Sequence, residues 1–356
     1  MAQRPAAAAP SPRRPSGRPS GDAVTGRPRS RPQNSRYAAL DLGTNNCRLL
    51  IAQPNGEGFT VVDAFSRIVR LGEGLAATGR LSEAAMDRAL GALSVCADKL
   101  RRRNVALVRS VATEACRRAE NGWEFVDRVY DETGIALEII TPEQEARLAV
   151  LGCHALLEPG DGRALIFDIG GGSTELVLIE TSGDLSPPRV LDWYSAPWGV
   201  VSLTESGPVD HHGDSEGRKA AYATMRNRVA DAFQPFADRL ASGGELPGRL
   251  LGTSGTVTTL ASVHLGLPRY DRRAVDGLIV PTPEIRQIST RLAEMSLSER
   301  MRMPCIGQER ADLVVAGCAI LEAILDIWPA ERLGVADRGI REGILRSLMA
   351  RDGHSW

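Results

Sequence analysis

Two rhythms of apolar residues alternate along the chain. Short continuous runs, such as Leu165, Ile166 and Phe167 or residues 176–179, fit buried strands, and stretches with apolar residues three and four apart fit helices that cover them. Strands are expected on both sides of an Asp-x-Gly turn at 37–51, at 59–65 with an extended continuation to 71, and at 105–112 and 136–140. Further strands are expected on both sides of the glycine turn at 165–180, then at 190–196, 249–251 and 332–335. Helices are expected after Ser82, over 123–132, after Thr141, and over 215–240, 257–265, 283–294, 308–328 and 340–350. Strands alternating with helices in this way predict an α/β fold.

The helix ends carry their own signals. Ser82 caps a helix whose apolar side is Ala85, Ala89, Leu90, Leu93, Cys96, Ala97 and Leu100, and Arg101, Arg102 and Arg103 complement its C-terminal dipole. Gly134 stops the helix that Asn121 caps. Thr141, Pro142 and Gln144 spell a capping box with proline at the first helical position.

One stretch carries more than structure. Asp168 ends a strand, Gly170, Gly171 and Gly172 follow, then Ser173, Thr174 and Glu175, and a second strand leads away. Three glycines let backbone N–H groups turn toward an anion, and carboxylates beside a phosphate call for a cation between them, which suggests Mg²⁺ at Asp168 and Glu175. The same pattern stands 127 positions earlier: Asp41 matches Asp168, Gly43 matches Gly170, Leu49 matches Leu176, and Arg48 stands where Glu175 stands. Two such copies suggest duplicated halves facing one another, one offering a carboxylate and the other a guanidinium. A third small-residue turn, Gly252 to Thr256, opens a helix and strengthens the case for a phosphate cleft.

Other residues stay open on sequence physics alone. Thr113, Arg117 and Arg118 follow a strand end and suit either a cleft rim or a solvated helix face. Glu143 is explained by the helix dipole, whereas Glu145 has only Ala149 and Gly152 one and two turns on, small residues that would let something approach; it is read equally as functional or structural. Asp337 to Gly343 sits at a strand-helix junction, either a ligand turn in which Gly339 and Gly343 permit close approach or a capped turn with surface arginines.

Composition narrows the function classes. The hydrophobic share of 43% and charged share of 24% suit an ordinary soluble protein. Six cysteines form no C-x-x-C pair and five histidines no H-E-x-x-H, so a zinc site has little support. Residues 1–36 hold eight arginines and one acid, Asp22; their +7 leaves −8 for the rest of a chain with net charge −1. That Pro- and Arg-rich start reads as a solvated, disordered tail; without amphipathic periodicity it supports neither an organelle transit peptide nor a nucleic-acid-binding arm. No apolar run reaches membrane-spanning length, so no membrane partner is expected and a cytoplasmic protein is.

The segments DLGTNNCRLLIA, VATEACRRAENG, ITPEQEARLAVLG, FDIGGGSTELVLIE, LLGTSGTVTTLAS and ADRGIREGIL closely resemble the exopolyphosphatase and guanosine pentaphosphate phosphohydrolase family, over residues 37–350. The resemblance implies two actin-like domains of the sugar-kinase and Hsp70-ATPase superfold, 37–141 and 142–350, flanking a cleft that holds a phosphoanhydride chain and Mg²⁺. It assigns the catalytic glutamate to Glu145 and the metal carboxylates to Asp168 and Glu175. Phosphate-binding positions fall on Gly43, Thr44, Asn45, Asn46, Gly170, Gly171, Gly172, Ser173, Gly252, Thr253, Ser254 and Gly255, with Arg48 and Arg341 facing the anion. The implied substrates are polyphosphate or guanosine pentaphosphate, and a homodimer is left open. The chain departs from the family at Val275-Asp276-Gly277, where Val-His-Gly is frequent, and it lacks the C-terminal helical domains of longer members, which favours short polyphosphate or the nucleotide. Two alternatives are an ATP-dependent kinase or ATPase of the same superfold and a non-catalytic alarmone-binding regulator.

Overall fold

The computed structural model describes residues 35–354 apart from Glu57, Asp161, 183–187, 208–213 and Glu245; the arginine-rich start up to residue 34 and the His211–His212 pair lie outside the described residues. Arg36 is already anchored, donating from Nη1 to the Arg103 carbonyl and accepting from the Ala106 N–H.

Two sheets carry the fold. The first contains β1 (Tyr37–Leu42), β2 (Asn46–Pro54), β3 (Phe59–Ile68), β4 (Leu107–Ala112) and β5 (Leu137–Ile139) in the order β3-β2-β1-β4-β5. The second contains β6 (Gly162–Ile169), β7 (Thr174–Thr181), β8 (Arg189–Ala196), β9 (Arg249–Thr253), β10 (Ile279–Pro281) and β11 (Arg332–Ala336) in the order β10-β11-β9-β6-β7-β8. Leaving out the added edge β10, the two orders are the same, with an antiparallel meander of three strands followed by parallel strands. The internal repeat is therefore architectural. Its seven-residue spacing is a hairpin register: Asp41 lies opposite Arg48, and Asp168 opposite Glu175.

Each sheet is covered on one face by its own helices. The Glu83–Arg102 and Gly122–Thr133 helices bury Ala85, Leu93, Phe125 and Val129 against the first sheet. The Ser215–Ser242, Ser254–His264 and Val314–Ile327 helices do the same for the second. Two further helices fill the space between the sheets. The Pro142–Cys153 helix sets Ala146, Val150 and Cys153 against β6 and β7, and the Ile340–Arg351 helix returns to the first sheet. There Ile344, Leu345, Leu348 and Met349 are buried against Tyr37, Ala39, Leu50 and Val111, at about 1.5–3 kcal/mol for each large aliphatic side chain. The last helix of the chain thus belongs to the core of the first sheet.

These two helices cross through glycine. A Cβ on Gly152 would lie 1.9 Å from the Gly339 carbonyl oxygen, and one on Gly343 would lie 2.0 Å from that of Leu148. The small face beside Glu145 thus receives a neighbouring helix rather than a ligand.

Residues 200–206 form a further helix, Val200–Ser206. Two local expectations change. The helix expected to start at 308 starts at Val314; residues 308–313 form turns, with the Leu313 and Val314 N–H groups both donating to the Arg310 carbonyl. The extended run after β3 ends at Ile68, and Arg70 adopts a left-handed φ of 47°.

Candidate active site

The two glycine turns meet face to face. Gly43 N–H closes the first turn onto the Asn46 carbonyl at 2.9 Å, and Gly170 N–H closes the second onto Ser173 at 3.0 Å. The Thr44 and Asn45 carbonyls are tied back to the N–H groups of Val69, Arg70 and Gly72, and those of Gly170 and Gly171 to Val200 and Val201. With their carbonyls engaged by the scaffold, the turns have N–H groups left for an anion. Between the turns there is no room for side chains: a Cβ on Gly171 would come within 2.9 Å of Thr44 Cβ, and one on Gly172 within 2.8 Å of Thr44 Oγ1.

Around this contact opens a cleft of about 1110 Å³, counting space open to solvent. Its walls include Gly43, Thr44, Asn45, Asn46 and Arg48 from the first half, and Asp168, Gly170, Gly171, Gly172 and Ser173 from the second. Thr253, Ser254, Gly255, Glu145 and Arg341, all expected from sequence, line it as well. Gly252 is not among the lining residues; it packs under Phe167 and Val257, where a Cβ would approach to 2.6 and 2.8 Å. Ser254 holds a left-handed φ of 83° at the start of its helix, and its side chain partly offsets the rise that burial imposes on Asp168. Such strain in a non-glycine residue costs on the order of 1 kcal/mol and persists where the surroundings fix it.

Glu145 is buried in the first turn of its helix, behind the Thr141–Gln144 capping box. Its Oε2 accepts from Arg117 Nη1 at 3.1 Å and Nη2 at 3.2 Å, while Arg117 also donates to Glu114 Oε2 at 2.7 Å and the Ile140 carbonyl at 2.7 Å. Burial, then the charges of Glu175, Asp168 and Asp41, push Glu145 well above the ordinary carboxylate range, with Arg117 opposing. Burial likewise raises Asp41 and Asp168.

Glu175 stands behind the second turn rather than on the cleft surface. Its Oε1 accepts from Ser173 Oγ at 2.7 Å and Ser195 Oγ at 2.9 Å, and burial together with Asp168 raises it to about 7. Of the two carboxylates expected to hold a cation, Asp168 lines the cleft, and Asp41 joins it there. The oxygens fit Mg²⁺ in kind. Asp41 Oδ1, Asn45 Oδ1 and Asn46 Oδ1 are buried without a hydrogen-bond partner. No cluster of three His, Cys, Asp or Glu exists among the described residues. One or two carboxylates completed by water and substrate phosphates is the usual Mg²⁺ arrangement.

The raised Glu175 has a stability consequence. A carboxyl whose folded value of about 7 exceeds its ordinary 4.5 stabilises the fold fully below 4.5, and that stabilisation is lost as pH rises to about 7. In chelator, wild-type Tm is therefore expected to fall relative to Glu175→Gln between pH 4.5 and 7. A pH-independent difference between the two melting curves would contradict this.

Among the cleft residues that escaped the sequence reading are three charged ones. Arg310 comes from the segment of turns before Val314, where a helix was expected, and nothing in the sequence singled it out. Arg338 lay inside a turn already singled out. Glu114 adjoins Arg117, and nothing in the sequence ties that pair to Glu145. Two further contacts join the halves: Arg70 Nη1 pairs with Asp312 Oδ2 at 2.9 Å, and Gly74 N–H donates to Glu205 Oε1 at 3.0 Å. No helix among the described residues is long and apolar enough to cross a membrane.

Residues 50–352 match the model of the Ppx/GppA phosphatase family. The chain is 33% identical over 328 residues to exopolyphosphatase 2 of Mycobacterium tuberculosis, covering 88% of this chain and 98% of that one. It is 29% identical to a guanosine-5'-triphosphate,3'-diphosphate pyrophosphatase of Aeromonas salmonicida, covering 89% of this chain and 60% of that longer one. Among solved structures, an Aquifex aeolicus Ppx/GppA protein superposes with a TM-score of 0.71 at 31% identity, over 90% of this chain and 99% of that one. An exopolyphosphatase of Cytophaga hutchinsonii gives 0.79 at 25% identity, over 89% and 98%.

Proposed function

Because the chain belongs to the Ppx/GppA phosphatase family, we propose that its cleft hydrolyses the terminal phosphoanhydride of inorganic polyphosphate or guanosine pentaphosphate and releases orthophosphate. The observation that carries the mechanism is a buried carboxylate, Glu145, oriented by Arg117 and opening onto a cleft walled by two phosphate turns.

Residues 37–141 together with the Ile340–Arg351 helix, and residues 142–339, act as two lobes that hold the substrate between them. Backbone N–H groups of the turns at Gly43, Gly170 and Thr253–Gly255 grip phosphate oxygens, and Arg48, Arg310, Arg338 and Arg341 neutralise the chain. Glu145 accepts a proton from water as that water attacks the terminal phosphorus; the bridging oxygen stays with the shortened chain. Its raised proton affinity makes the ionised carboxylate a stronger base than an exposed glutamate. Arg117 keeps the Oε2 edge fixed, leaving Oε1 for the water. Asp168 and Asp41 would hold Mg²⁺, with Glu175 behind them, and the ion supplies charge neutralisation at the transferring phosphoryl group.

The test is phosphate release, with Mg²⁺, from tripolyphosphate, long polyphosphate and guanosine pentaphosphate in parallel, beside an ATP control. The expected result is orthophosphate from tripolyphosphate or pentaphosphate without ATP consumption. ATP consumed in proportion to product would identify a kinase or ATPase, and tight binding without release an alarmone sensor; either would overturn the reading.

A further inference from the structure

Of the cleft arginines, Arg341 lies in the first turn of the last helix, and Arg338 sits on the turn that joins β11 to it. That turn is held from behind. Arg272 donates from Nη2 to the Asp337 carbonyl at 2.7 Å and to Glu342 Oε1 at 2.8 Å, and Glu342 Oε2 accepts the Gly339 N–H at 2.9 Å. Thr253 Oγ1, from the third turn, donates to the Arg338 carbonyl at 2.6 Å.

Asp276 adds a contact that reaches a cleft guanidinium. It closes the short Arg272–Val275 helix, its side chain is 11% exposed, and it is absent from the cleft lining. Its Oδ1 accepts the Asp337 N–H at 3.0 Å, and its Oδ2 accepts Arg338 Nε at 2.8 Å. A guanidinium bound through Nε has its two Nη groups free to form the fork that matches phosphate bidentately. No partner for the Arg338 Nη groups is recorded among the described residues.

We infer that Asp276 is a positioning residue that aims the Arg338 fork at the substrate's phosphate chain, and so sets affinity for the anion without touching it. This rests on the hydrolase reading above for the identity of the anion, though not for the Asp276–Arg338 coupling. Asp276→Asn keeps an oxygen for the Asp337 N–H but can turn only an amide NH₂ toward Arg338 Nε, donor against donor. The charge-assisted bond that fixes the fork is thereby lost.

A double-mutant cycle over Asp276→Asn, Arg338→Gln and the double variant tests it, with tripolyphosphate as the probe. Calorimetric binding and steady-state kinetics are read together, and Tm is recorded for all four proteins. Asp276→Asn is expected to raise Kd and KM about tenfold with kcat within about twofold, the signature of lost uniform binding. In the Arg338→Gln background the same change is expected to add nothing, because the residue through which it acts is gone. Full multiplication of the two effects, or unchanged Kd in Asp276→Asn, would overturn the inference. A fall in Kd would overturn it as well, since it would show that the carboxylate only diminishes the cleft's positive charge. If the wild type binds tripolyphosphate without hydrolysing it, the hydrolase reading fails while the binding cycle still decides on Asp276.

Discussion

Replacing Glu145 with Gln is expected to lower kcat by about 10³-fold, the range for removing a positioned general base, with KM changed by less than about threefold. The amide keeps the shape and can still accept from Arg117, so the pocket survives while the proton acceptor is gone. Circular dichroism and tripolyphosphate binding should match the wild type. A variant retaining more than a tenth of wild-type turnover would remove Glu145 from the chemistry. The complementary change, Arg117→Ala, would leave Glu145 buried beside Glu175, Asp168 and Asp41 with its opposing charge removed, which favours the protonated and inactive form.

The second large effect concerns the helix crossing that carries Glu145. Gly152→Ala places a methyl 1.9 Å from the Gly339 oxygen and 2.7 Å from its carbonyl carbon, backbone atoms that cannot rotate aside. The helices must separate, and we expect a loss of about 3 kcal/mol, at the upper end for overpacking. Because Gly339 lies between Arg338 and Arg341, phosphate release should fall with stability. Gly91→Ala is the matched control. Gly91 lies mid-helix on an exposed face with open space around it, and alanine there should stabilise by about 0.5–1 kcal/mol. Chemical denaturation of both variants tests the pair; equal stability of Gly152→Ala and wild type would rule out the tight crossing.

Much of the site was legible because it is local. Asp41 to Arg48 and Asp168 to Glu175 are each a single hairpin, so the repeat in sequence is a repeat in space, and composition alone pointed to a phosphate and a cation. The capping box at Thr141 and Gln144 formed as the residues dictate. What stayed hidden depends on residues distant in sequence. Glu145 was open between two readings because its partner Arg117 arrives from 28 residues earlier on another element. Ala149 and Gly152 correctly signalled a close neighbour, but periodicity could not say that the last helix, nearly two hundred positions on, would be that neighbour. Glu175 looked like a cleft ligand because it shares a turn with Asp168. The strand pleat and the hydroxyls of Ser173 and Ser195 hold it inward instead.

The central claim is attack by water on the terminal phosphorus inside this cleft, and hydrolysis in ¹⁸O-labelled water tests it most directly. Mass spectrometry of the products from tripolyphosphate and guanosine pentaphosphate should find one ¹⁸O in the released orthophosphate and none in the shortened chain, with release nearly abolished in Glu145→Gln. Label in the shortened chain, or equal release by the two proteins, would contradict it.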